Sequence, residues 1–217
     1  MSLEQGATPG GARCPACGEP LFVWVETQGW GPREDQVVDR CENCGLVVVR
    51  DSVPDAEAAL AELLALRRGA YSNGSGGDAA TPVVIRAPNA DSVQAWLGAE
   101  NWAALRPGDT DLKATPRSAE LLLEKRGLQV RSIHHLPAPG MALMWQTLLN
   151  LLTFHRDFAP EALSGRLRPS GGRGRAAFAI DAMVTVLAAI PTAILAVAIE
   201  GGAVIARRGG VIEVSAS

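Results

Sequence analysis

Cys14-Pro-Ala-Cys17-Gly18 and Cys41-Glu-Asn-Cys44-Gly45 are two copies of one pattern, separated by the 23 residues between Cys17 and Cys41. They hold all 4 cysteines of the chain. A Cys-x-x-Cys turn presents two thiolates to one side of a metal, and two such turns complete the tetrahedral soft-ligand set that Zn²⁺ takes. The glycine after each pair lets the chain turn back with backbone N–H groups aimed at sulfur. Between the clasps lie Leu21-Phe-Val-Trp-Val-Glu26, a turn-rich stretch over 27–35 and a return through Val37 and Val38; Leu46-Val-Val-Val-Arg50 follows. Residues 12–50 therefore read as a zinc ribbon, with Cys14, Cys17, Cys41 and Cys44 as ligands of a structural Zn²⁺. Two disulfides or a thioredoxin-like redox pair are the competing readings. Neither clasp sits between a strand and a helix, and residues 1–10 carry neither the basic nor the apolar region of a signal peptide. The expected setting is a reducing cytoplasm with every thiol committed to metal, leaving none for catalysis.

Charge narrows the partners. The 217 residues carry a formal net charge of −3. Within 1–50, Arg13, Arg33, Arg40 and Arg50 face Glu4, Glu19, Glu26, Glu34, Asp35, Asp39 and Glu42, and four thiolates around one Zn²⁺ add about −2 more. Nucleic acid is not an expected partner for such a surface. Trp24 and Trp30 have faces on which bases could stack, but stacking without a basic track binds poorly, so both read as ribbon packing.

Residues 51–81 read as a helix and a flexible linker. Pro54 and Asp55 open the helix, Leu60, Leu63, Leu64 and Leu66 line it, and Arg67, Arg68 and Gly69 close it. Tyr71-Ser-Asn-Gly-Ser-Gly-Gly-Asp-Ala-Ala80 is small and polar, as linkers are. It follows a helix and precedes an extended segment, the wrong context for a phosphate-cradling loop.

Residues 82–217 read as a mixed α/β domain. Val83-Val-Ile85 predicts a buried strand ending at Pro88, and 92–102 a partly helical stretch carrying Trp96 and Trp102. Thr115 predicts an N-cap, with Pro116 at the first helical position and Gly127 as the stop. Leu128-Gln-Val130-Arg-Ser-Ile133 alternates like a half-buried strand. Met141, Met144, Trp145, Leu148, Leu149 and Leu152 recur at helical spacing, which predicts a core helix ending near His155; a substrate pocket or membrane surface are the other uses of such a stripe. Residues 165–175, basic and glycine-rich, read as a mobile loop, and Val211-Ile-Glu-Val214 as a final strand.

Residues 182–199 contain no charge and are just long enough to cross a bilayer. Pro191 interrupts them, Asp181 and Glu200 bracket them, and arginines lie beyond both ends. The expectation is a buried helix, kinked or restarted at Pro191. A membrane span is the alternative, and would place the protein at a membrane rather than free in the cytoplasm.

Several of these pieces together resemble the bacterial class I S-adenosylmethionine-dependent methyltransferases that carry an N-terminal zinc ribbon. Val83-Val-Ile-Arg-Ala-Pro88-Asn89-Ala-Asp-Ser92 is similar to their strand ending in Pro-Asn, and Trp102, Leu105 and Pro107 to their Trp-x-x-Leu-x-Pro stretch. Thr115, Ser118, Leu121, Leu122 and Gly127 resemble their Thr-capped helix, and 200–214 their last helix and strand. The resemblance covers 12–50, 82–133 and 195–216. It implies a partial Rossmann-like C-terminal half, with the strands here lying late in a doubly wound sheet. The family's glycine-rich cofactor loop and the acidic residue of its second strand would have to fit into 51–81, which is too short for them, since one βαβ unit needs about thirty residues. No cofactor or catalytic residue carries over, and S-adenosylmethionine is not an expected ligand.

His134, His135 and Asp157 are the remaining polar candidates, but adjacent strand residues point to opposite faces, so the histidines read as a solvated pair. The sequence thus describes a zinc-binding, methyltransferase-like protein, non-catalytic on its own, acting as a companion or binding subunit. Stripped of earlier strands, the sheet's apolar flank calls for a protein partner, self-association, or the two long apolar helices as a cover. An active enzyme completed by a second chain and a membrane-anchored zinc ribbon through 182–199 are the alternatives.

Overall fold

The computed structural model describes residues 10–27, 36–65, 83–106, 111–168 and 171–217. Trp30, Pro107 and the Tyr71–Ala80 linker lie outside them. Two antiparallel sheets organise the described chain. The first orders β1 (Gly10–Arg13), β2 (Pro20–Thr27), β3 (Gln36–Cys41) and β4 (Val47–Val49) side by side, and ends on the short β6 (Leu112–Lys113), which returns from much later in the sequence. The second places β8 (Val211–Ala216) between β5 (Val83–Pro88) and β7 (Val130–His135), antiparallel to both.

Alternation explains how the second sheet sits. Ile85 and Ala87 on β5 and Ile212, Val214 and Ala216 on β8 are buried, facing the helices α1 (Ala56–Ala65) and α3 (Pro116–Glu124). The other face carries Arg86 paired with Glu213, Ser132 bonded to Ser215, and exposed His134. An antiparallel sheet tolerates one wetted face in this way. The buried face belongs to a core that runs without a break from Cys14, Cys41, Cys44, Leu21 and Leu46 through Leu60 and Leu63 to Leu122, Leu123 and Val214. Ribbon and α/β segments are therefore one packed unit at this seam. The sheets also meet directly, because Asn89 bridges Ala114 just beyond β5 and β6.

Local rules account for the helix starts. The Asp55 carboxylate accepts from Ala58 N–H ahead of α1, and Ser92 caps α2 (Val93–Gly98) by accepting from Ala95 N–H. At α3, Thr115 and Ser118 form a reciprocal capping box with Pro116 in the first turn. The Met/Trp stripe forms α4 (Pro137–Asn150), followed by the short α5 (Phe158–Leu163).

The long final helix departs from expectation. α6 (Gly171–Ile205) is a single element of 35 residues that continues through Pro191, so 171–175 are its opening turns rather than part of a loop. Nor is it a buried core helix. Its inward residues are Asp181, Thr192, Ala196, Glu200 and Ala203, whereas Met183, Val186, Leu187, Ile190, Ile194, Leu195 and Val197 are exposed. Composition could not reveal this, because a segment apolar on every face carries no period that says which face turns inward. Neither of the two long apolar helices lies over the flank of β5. α1 and the ribbon lie against it, and α6 packs on α4 instead.

Candidate metal centre

Two β-hairpin corners build the centre. The first Cys-x-x-Cys turn follows β1 and leads into β2; the second links β3 to β4. Each closes with the same backbone bonds. Gly18 N–H donates to Cys14 C=O and Gly45 N–H to Cys41 C=O, both at 2.8 Å, while Cys14 and Cys41 N–H reach the Glu19 and Leu46 carbonyls. Gly18 and Gly45 adopt φ of +82° and +73°, in the left-handed region where a side chain is strained. At Gly45 space forbids one as well, since a Cβ would lie 2.7 Å from Thr115 Cγ2.

These turns bring the four predicted ligands together, with all four Sγ atoms within 4.8 Å of one another. Cys14 Sγ lies 3.5 Å from Cys44 Sγ, and Cys17 Sγ 3.4 Å from Cys41 Sγ. Zn–S bonds of about 2.3 Å in a tetrahedron place sulfurs about 3.8 Å apart, so the cluster fits Zn²⁺ with only small adjustment. The thiols are free rather than disulfide-bonded. Cys14, Cys41 and Cys44 are buried and Cys17 is partly so.

The electrostatics describe a cluster ready to exchange protons for a cation. A hydrogen bond from the Cys44 thiol, helped by the N–H groups of Cys17 and Ala16, lowers Cys14 to about 5. Cys44 is raised, chiefly because it supplies the proton of that bond, and burial raises Cys41. One thiolate is thus solvated by its neighbours while others keep their protons. A divalent cation would take over this role and displace the remaining protons.

Two supports come from far along the chain. Thr115 Oγ1 donates to Cys44 C=O at 2.5 Å, and Lys125 Nζ donates to Pro15 C=O at 2.7 Å, so α3 grips both knuckles. Thr115 was legible as a helix cap, but its second task joins residues 71 apart in sequence and left no local signal. On the ribbon's other side, Arg50 makes a two-pronged contact with buried Asp39 at 2.9 and 2.7 Å. Trp24 packs edge-on to Trp102 with centroids 6.2 Å apart and lies under the Arg40 guanidinium. Its rings are engaged by protein, in keeping with a packing role.

The other polar candidates do not converge. His134 is exposed, His135 Nδ1 lies 3.4 Å from Gly209 C=O, and Asp157 exchanges bonds with Asn150. Besides Asp39, two carboxylates among the described residues are fully buried, both on α6. Asp181 accepts from the N–H groups of Phe154 and His155 and lies 2.6 Å from His155 Nδ1. Glu200 accepts from Gln94 Nε2 at 2.9 Å and from Gly210 N–H at 2.7 Å. A Cβ on Gly210 would fall 1.5 Å from Gln94 Nε2, so that glycine is required for the clasp to close. Compared with protein-family models, curated proteins and solved structures, the chain matches none.

Proposed function

We propose that this chain is a zinc-stapled, methyltransferase-like binding subunit without catalysis of its own. The observation that carries the reading is the continuity of the core. The cysteine knuckles, α1, α3 and the buried face of β5 and β8 share one cluster, so a metal at the cysteines would brace the α/β body as well as the ribbon. The methyltransferase likeness rests on the sequence motifs, with support from β5, β7 and β8 lying in one sheet. In this reading the chain is a companion to a complete methyltransferase or an oligomeric scaffold, and it does not bind nucleic acid.

Isothermal titration of the zinc-loaded protein with S-adenosylmethionine is the test. No heat of binding is expected. Micromolar binding would overturn the non-catalytic reading and favour an enzyme completed by a second chain. Metal analysis should find one zinc per chain; a ribbon that stays folded without metal under chelator would remove the staple.

A further inference from the structure

The helix α6 is turned inside out relative to a helix that packs in water. Between 181 and 200 its polar side chains are Asp181, Thr185, Thr192 and Glu200, and all point their polar atoms into the protein. Ile180, Met183, Val186, Leu187, Ile190, Ile194, Leu195 and Val197 form the outward face. Val186, Ile190 and Ile194 are 75%, 74% and 67% exposed, and Ile205 continues the stripe at 87%. From Ile180 to Ile205 this face runs about 38 Å at 1.5 Å per residue. Its side chains offer no hydrogen-bond donor or acceptor. Protein interfaces of similar extent carry polar and aromatic anchors, whereas acyl chains ask only for apolar surface.

Charge points the same way. Over residues 166–210 the only acids are Asp181 and Glu200, both buried, while Arg166, Arg168, Arg173, Arg175, Arg207 and Arg208 are exposed. Arg166 is ion-paired with Glu161 and Arg208 with Asp91, each at 3.8 Å, and Arg208 Nε also donates to Asp91 C=O. In a chain of net charge −3, positive charge is thus concentrated at both ends of the apolar stripe. Anionic headgroups are the complement of such flanks.

The geometry fixes how the helix would lie. α4 runs antiparallel along α6, with Gly140 beside Glu200 and Phe154 N–H bonded to Asp181. Halfway, Trp145 Nε1 donates to Ala189 C=O and Thr192 Oγ1, both at 3.0 Å. α4 is in turn tied to the body by Ala103 N–H to Thr147 Oγ1 and by Asn150 Nδ2 to Asn101 C=O. A helix crossing the bilayer would carry α4, and the polar segment with Glu100, Asn101 and Arg106 that these bonds tie to it, toward hydrocarbon, where charged side chains and irregular backbone are costly. We infer that α6 docks the protein on a membrane of anionic phospholipid, lying in the plane of the surface with the stripe from Ile180 to Ile205 sunk among the acyl chains and the arginines among the headgroups. This inference does not depend on the methyltransferase reading.

Flotation of the full-length, zinc-loaded protein with preformed vesicles tests it. Binding is expected with phosphatidylglycerol–phosphatidylcholine vesicles and weaker binding with phosphatidylcholine alone. I190E/I194E should cut the bound fraction at least ten-fold while its melting transition stays unchanged, and R173Q/R175Q/R207Q should erase the preference for anionic vesicles. If the double variant does not fold, Leu187→Gln alone should still weaken flotation. External protease should remove tags at both chain ends from bound protein. A protected C-terminal tag would mean a span and overturn the in-plane geometry. Failure to float with either vesicle would overturn the proposal, and a dimer dissolved by I190E/I194E would then identify a second copy as the occupant.

Discussion

In the ribbon, sulfur and most of the leucine and valine turn inward, and Glu19, Glu26 and Glu42 stay at the surface while Asp39 is buried against Arg50; in α6, the carboxylates of Asp181 and Glu200 turn inward while isoleucine, valine and leucine face out. The same chain follows opposite rules at two places. Residues pack apolar-in when water is the medium outside, and the reversal at α6 is what a helix needs when its outer medium is not water. The ribbon gathers its four thiols within 4.8 Å of one another, whereas α6 is fastened through widely separated hydrogen bonds at Asp181, Thr192 and Glu200.

The largest effect is expected at the four cysteines. Cys41→Ser should remove most of the folding free energy that zinc contributes, on the order of 10 kcal/mol for sites of this kind. Because the core is continuous, circular dichroism should show the α/β signal weakening together with the ribbon. Acid should act in the same direction. The metal-free cluster holds protons on the raised thiols Cys41 and Cys44 and the metal-bound form holds none, so zinc binding releases protons and affinity falls as pH falls. Titrations in buffers of different ionisation enthalpy should register that release.

At the other region, Glu200→Ala leaves Gln94 and the Gly210 N–H without their buried acceptor, and should cost about 2–4 kcal/mol in denaturant unfolding. A smaller effect is expected where the regions meet. Thr115→Val keeps the shape but removes the hydroxyl that caps α3 and holds Cys44 C=O, at about 1–2 kcal/mol. The smallest belongs to the outward stripe, where Ile190→Gln should change stability in solution by no more than about 0.5 kcal/mol. If Ile190→Gln instead destabilised the isolated protein as strongly as Glu200→Ala, the outward face would be packed and the contrast between the two regions would fail.

The legibility of the two regions differs for the same reason. Each Cys-x-x-Cys-Gly clasp is a local device whose geometry follows from neighbouring residues, and the Thr115-Pro116 start of α3 is equally local. The strand over 128–133 was visible in its alternation, and those at Val83 and Val211 as short apolar segments. β1 and α5 were not, being short and weakly patterned, and β6 is two residues long and exists through its pairing with β4. Thr115 at the second knuckle, Lys125 at the first, and the closing of Glu200 on Gln94 all join residues distant in sequence, for which no periodicity could speak.

The order of residues alone specifies a four-cysteine cluster and a mixed α/β chain with one long charge-free segment, because cysteine spacing, capping and alternation act over a few residues. Long-range packing sets the rest: the cysteine knuckles share a core with the α/β sheet, and Asp181 and Glu200 turn the charge-free helix so that its apolar side faces out. Those outcomes depend on which distant donors meet each buried acceptor, and a buried carboxylate goes wherever the fold can supply its hydrogen bonds.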